Sequence, residues 1–170
     1  KNIGQYIVPG IGMTKKDAKR LAKTLSAQAT IMEMWQEFRE SGVRPFFLWH
    51  LYFADVFEQK GGFDIVIANP PYVRQEEIKD QKPILRKQGY EVYNAISDLY
   101  TYFYERSYDI LRNNGILAFI SSNKWMRAKY GEKLRNFFRE KTKILHLIDF
   151  SGHKVFQATV DTNIILFQKT

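Results

Sequence analysis

Asn69-Pro70-Pro71-Tyr72 is the stretch of this sequence with the most chemical content, and it directly follows the apolar run FDIVIA at 63–68. The side-chain oxygen of Asn69 and the backbone carbonyl of Pro70 are two acceptors that a short turn can aim at one amino group. An exocyclic amine on an aromatic ring, such as that of adenine, is a poor nucleophile because its lone pair is delocalised into the ring. Two acceptors fixed on its hydrogens draw the nitrogen toward tetrahedral geometry and localise that pair. Pro70 and Pro71 hold φ and remove amide donors that would compete. Tyr72 offers a flat face to a base taken out of a duplex. No general base is needed before attack, because the proton leaves from a cationic product. The work is positioning and electrostatic preorganisation. The plainer alternative is a rigid turn after a strand, with Tyr72 packed in the core.

A turn of this kind needs a strand to carry it. FDIVIA is apolar on both faces, the pattern of a central parallel strand. Upstream, Lys1 to Met13 reads as irregular, with glycines at 4, 10 and 12, and a helix is expected from Thr14 to a stop at Gly42, with Asp17 completing a capping box. Phe46 to Phe53 reads as an aromatic strand ending at Ala54-Asp55. A long polar loop follows the diproline, from Arg74 to Gln88. An amphipathic helix is expected over Ser97 to Arg112 (Leu99, Phe103, Ile110, Leu111), closed by Asn114-Gly115. Then come a buried strand Ile116 to Ser121, a basic helix Ala128 to Lys141, a third buried strand Ile144 to Asp149, a loop Phe150 to Asp161 and a last strand Thr162 to Gln168. Strand and helix alternate from Phe63 onward, so the expected class is α/β with a mostly parallel sheet. Ligands in such sheets bind at the carboxyl ends of the strands, where Asp55, Asn69, Asn123 and Asp149 are expected.

The net charge is +8, and the window 123–143 supplies +6 of it, with eight bases against two acids. Trp125 and Tyr130 lie inside that window. Bases interleaved with rings suit a phosphate backbone and exposed bases; a solvated helix face is the plainer alternative. With 45% apolar and 26% charged residues the 170-residue chain is that of a globular protein. No apolar stretch reaches the ~18–20 residues of a membrane helix. Cysteine is absent, which removes disulfides, thiol nucleophiles and cysteine-bound zinc and fits a reducing cytoplasm. His50, His146 and His153 have no ligand-type spacing, so no metal is expected.

FDIVIANPPY, GILAFISSNKW and VFQATVDTNIILFQK, in that order, resemble the amino-methyltransferases of restriction–modification systems. The nearest likeness is the adenine-specific methyltransferase region of type II restriction-and-modification enzymes, over about Phe46 to Thr170. The resemblance implies a Rossmann-like class I methyltransferase fold with a C-terminal antiparallel strand. It implies transfer of a methyl group from S-adenosylmethionine to the amino group of a flipped-out adenine in double-stranded DNA, in a prokaryotic cytoplasm. Carried over residue by residue, Asn69 and Pro70, with Pro71 stiffening the turn, hold the amino group, and Tyr72 and Phe156 contact the base. Asp55, 14 residues before Asn69, matches the acid that binds the adenine of the cofactor. Asn69 and Asp98, the latter in Asp98-Leu99-Tyr100, line the cofactor side. Ser122, Asn123 and Lys124 fall where the family faces DNA, and Arg127, Lys129 and Lys133 extend that basic face.

The family's glycine-rich strand-to-helix turn, which holds the methionine end of the cofactor, is not visible upstream of Asn69. The expectation is therefore the catalytic half of a methyltransferase domain at 45–170, preceded by a helical segment of unknown role at 1–44 and lacking the N-terminal cofactor-binding half. The start at Lys1, without an initiator methionine, fits a piece of a longer chain. This polypeptide alone is expected to bind S-adenosylmethionine weakly or not at all. An apolar edge beside FDIVIA is expected either to self-associate or to be covered by residues Lys1 to Gly42. The alternatives are the same chemistry on RNA or on a protein glutamine amide, and a silent fragment that docks DNA or serves assembly.

Overall fold

The computed structural model describes residues 47–153, 155–156 and 160–170; the expected helix from Thr14 to Gly42 lies outside them. Trp49–Thr170 form one compact unit. It opens with two short helices, α1 (Trp49–Tyr52) and α2 (Ala54–Lys60), where the aromatic run led us to expect a strand. The deciding pattern is spacing by four. The rings of Trp49, Phe53 and Phe57 stand on successive turns and all meet Phe63, with centroids 5.9, 5.1 and 5.7 Å away. Ring-rich composition favours a strand, but a stripe at i, i+4, i+8 puts its rings on one face of a helix. Asp55 accordingly lies exposed in the first turn of α2, not at a strand end.

Four strands form the sheet: β1 (Phe63–Ala68), β2 (Leu111–Ser122), β3 (Thr142–Asp149) and β4 (Thr162–Lys169), in the order β1-β2-β4-β3. β1 and β2 are parallel, and β4 runs antiparallel to both β2 and β3. Three strands thus run one way, yet two of the three pairings are antiparallel, because the last strand inserts between its predecessors. β3 was expected to be buried; instead, among the described residues, it is an edge strand, with Ile144, Leu145, Leu147 and Ile148 all exposed. Its apolar run says nothing about which neighbours exist to cover it. β1 is likewise paired on one side only among the described residues, and Ile65 and Ile67 are 58% and 76% exposed.

Helix α4 spans Tyr100–Ile110 and passes straight into β2 at the buried Leu111. Asn114, with φ 63°, does not close the helix; it sits in a bulge where β1 advances from Phe63 to Ile65 while β2 advances from Leu111 to Ile116. Tyr100, Tyr104, Ser107 and Leu111 make the buried stripe, and Phe103 faces out. Tyrosines carry this helix inward because their hydroxyls find partners there. The segment after the diproline contains a 3₁₀ turn (Lys79–Gln81) and helix α3 (Lys82–Lys87), and two buried charges pin it. The Lys82 ammonium donates to the Ser97 carbonyl, and the Glu105 carboxylate accepts the Glu91 and Val92 amides at 3.0 and 2.9 Å.

The expected basic helix is broken into α5 (Lys124–Arg127), a 3₁₀ turn (Lys129–Gly131) and α6 (Glu132–Lys141). Gly131 permits the break. A Cβ there would stand 2.0 Å from the Trp125 carbonyl oxygen. Gly131→Ala is expected to cost ~1–3 kcal/mol through forced backbone movement, read by chemical denaturation. Leu134, Phe137 and Phe138 of α6 close the core over Phe119, Ile165 and Phe167.

Candidate functional site

The diproline turn leaves the carboxyl end of β1, and the buried Pro70 anchors it while Asn69 and Pro71 are exposed. Among the described residues nothing hydrogen-bonds the Asn69 side chain. Tyr72 is half-buried, and its hydroxyl lies 3.4 Å from the Ile120 carbonyl of β2, as its donor. Burial alone raises the Tyr72 phenol above its ordinary value, so the ring stays neutral.

Beside this turn lies an open pocket lined by Tyr72, Arg74, Asp98, Tyr100, Ser122, Asn123, Lys124, Val160 and Asp161. It gathers the residues that follow β1 and β2, the start of α4 and the approach to β4, which is where strand carboxyl ends place a ligand site. Of the residues expected from sequence, Tyr72, Asp98, Ser122, Asn123 and Lys124 meet here. Asn69 and Pro70 stand on the adjoining turn and are not part of the lining. Asp55 and the half-buried Phe156 are not part of it either. Arg74, Val160 and Asp161 were missed. The signal for Arg74 was its position two residues after Tyr72; for Val160 and Asp161 no local pattern exists.

Asp98 is a structural hub. Its Oδ1 accepts the Gln75 amide at 3.0 Å, and its Oδ2 accepts the Tyr130 hydroxyl at 3.4 Å. The Leu99 amide donates to the Val73 carbonyl at 3.0 Å, so the chain after the diproline turn is tied twice to the start of α4. Tyr100 and Tyr130 share a hydrogen bond of 3.0 Å, and burial pushes the Tyr130 phenol up to about 12.

Asn123 is 7% exposed, and its side-chain amide donates to Asp149 at 2.8 Å and Ser151 at 2.7 Å. That amide is therefore committed inside the protein. The bonds from Asn123 and Ser151, helped by Arg127 at 3.5 Å, hold the Asp149 carboxyl below its ordinary value of 3.8. A lowered folded value stabilises fully above pH 3.8 and loses that contribution as pH falls through the lower value. The melting-temperature gap between wild type and Asp149→Asn should thus be constant from neutral pH to about 5 and close below about 4.

The basic window divides on inspection. Arg135 donates to the Trp125 and Ala128 carbonyls at 2.6 and 3.0 Å, capping α5. Lys141 pairs with Glu91, and Lys133 donates to the Tyr93 carbonyl at 2.8 Å while remaining exposed. Lys124 and Lys129 are exposed and unpaired among the described residues. The charge facing solvent is narrower than the sequence count.

The sheet, its helices and the pocket position define an α/β protein with a recess at its strand tips. Comparison with known proteins gives the family. Residues 12–156 match the Eco57I restriction-modification methylase family, and the chain belongs to it. Type II methyltransferase M.BstVI of Geobacillus stearothermophilus is 28% identical over 156 residues, 92% of this chain and 24% of that one. M.XhoI of Xanthomonas vasicola is 37% identical over 59% of this chain and 18% of its own length. A solved structure from Listeria monocytogenes, described as a class I S-adenosylmethionine-dependent methyltransferase, superposes with TM-score 0.47 and 17% identity over 64% of this chain and 32% of that one. The type II restriction enzyme and methyltransferase RM.Eco57I of Escherichia coli is 32% identical over 62% of this chain and 11% of its own. The chain spans about a quarter or less of the length of these three type II relatives. Among the described residues no helix is long and apolar enough to cross a membrane, and no cluster suits a metal.

Proposed function

We propose that residues 45–170 are the target-binding half of a domain that methylates the exocyclic amino group of adenine in double-stranded DNA. The observation that carries this is the unpartnered Asn69 amide on a proline-stiffened turn at the tip of β1, with Tyr72 walling the adjoining pocket. Asn69 and the Pro70 carbonyl accept the two amino hydrogens, and the Tyr72 ring stacks on the extruded base. Phe156 contacts the base from the segment that leads to β4. The exposed charges of Lys124, Arg127, Lys129 and Lys133 hold the duplex.

The described residues do not fit S-adenosylmethionine. They contain no glycine-rich turn between a strand and a helix. Both Asp98 oxygens are already bonded, and Asp55 is exposed on α2 away from the pocket lining. We assign cofactor binding to chain beyond these residues, which would pair with the side of β1 that has no neighbour among the described residues and cover Ile65 and Ile67. In isolation that apolar edge would drive self-association. Titration calorimetry of this polypeptide with S-adenosylmethionine is expected to give no saturable heat; micromolar binding would refute the division.

The decisive assay incubates the full-length protein with plasmid DNA and methyl-labelled S-adenosylmethionine, then hydrolyses the DNA. Label is expected in N6-methyladenine. Label in cytosine, or transfer only to RNA or to a protein glutamine, would overturn the substrate.

A further inference from the structure

Two cations in the pocket are not used by the grip on the amino group. Arg74 and Lys124 both line it with Tyr72 and Tyr100. Among the described residues neither has an ion pair or a side-chain hydrogen bond. Some other cations of the unit are spent internally: Arg112 on Asp64, Lys169 on the last carbonyls of α4, Arg135 on those of α5. Both cations are exposed, and the recess that they line also holds Asp98 and Asp161.

Their backbones are held still. Arg74 lies between Val73, whose carbonyl accepts the Leu99 amide, and Gln75, whose amide is bound by Asp98; its own carbonyl accepts the Glu77 amide at 3.0 Å. Lys124 lies between Asn123, fixed on Asp149, Ser151 and the Asp161 carbonyl, and Trp125, whose indole donates to Asn163 at 3.1 Å. Fixed backbones lower the entropy lost when long side chains close on a ligand. The two carboxylates in the recess differ: Asp98 is satisfied within the protein, whereas the Asp161 side chain has no partner among the described residues.

We propose that Arg74 and Lys124 clamp the phosphodiester of the extruded nucleotide, so that the backbone is seized where the base enters and not only along the flat basic face. The assignment rests on the base-flipping reading above. The guanidinium supplies a planar fork for two phosphate oxygens, and the ammonium supplies a point charge. Asp161 sits as the counter-charge that keeps the clamp from holding any phosphate too tightly.

The test uses the full-length protein and three probes: one mixed-sequence duplex, the same duplex with a single adenine opposite an abasic site, and one with thymine there. Wild type is expected to prefer the unpaired adenine. Arg74→Ala and Lys124→Ala together should erase that preference, weakening the adenine probe by well over the loss on the paired duplex, to which Lys124 also contributes; Arg74→Ala alone should leave affinity for the paired duplex within about threefold. The slope of log affinity against log salt on the adenine probe should fall by about 1 per cation removed. Arg74→Lys should recover part of the loss, and Asp161→Asn should tighten binding, which a merely structural residue would not do. A double variant that keeps the preference, or that loses paired and unpaired probes equally, refutes the clamp alone. A wild type without preference for adenine over thymine refutes the base-flipping reading, and the clamp with it.

Discussion

Replacing Asn69 by alanine is expected to lower methyl transfer by about 10²–10³-fold, the loss typical of one preorganised polar group at a reacting centre. Affinity for duplex DNA and the melting temperature should barely move. The reason is local: Asn69 is exposed, nothing among the described residues bonds its amide, and Pro70 and Pro71 would still shape the turn. Asn69→Asp gives a sharper control, because it keeps one acceptor oxygen and adds a charge that a neutral amine does not need. It should remain well below wild type. Single-turnover transfer with the full-length protein separates the step from product release. Wild-type rates in Asn69→Ala would remove the acceptor pair from the account.

Trp125→Ala carries the largest expected cost in stability, ~3–5 kcal/mol for an aromatic lost from a packed core. Trp125 is 4% exposed and meets Phe138 edge-on at 5.2 Å and Tyr104 at 6.5 Å. Its indole N–H donates to the Asn163 oxygen, which lies 3.3 Å from the Ser121 hydroxyl, itself 2.7 Å from the Tyr104 hydroxyl. All four residues are buried. Trp125→Phe separates the two contributions: it keeps most of the ring contact and leaves the buried Asn163 oxygen short of a donor. Its expected cost is ~1–3 kcal/mol. Denaturant midpoints read both. Because Lys124 and the α5 break are built around Trp125, the phenylalanine variant should also weaken DNA binding more than Gly131-independent surface changes such as Lys143→Ala. Equal stability of wild type and the alanine variant would mean this polar core contributes nothing.

Sequence alone determined what depends on local chemistry. The strand FDIVIA and its termination at a diproline turn follow from residue type and order, since proline fixes its own φ wherever the chain goes. The α/β alternation and the final strand were legible for the same reason, as was the family, through three motifs in order. Asp55 was misplaced because an aromatic run satisfies both strand propensity and a four-residue stripe, and only Phe63 arriving beneath the rings decides between them. The tertiary structure alone decided which cations are spent. Lys124 and Arg135 read alike in the sequence, yet one lines a pocket and the other caps a helix. It alone brought Arg74, Asp98 and Asp161 to one recess from three separate segments, and it alone put β3 at the edge of the described sheet. Burial and partnership are properties of neighbours, and neighbours distant along the chain are set by how the sheet assembles.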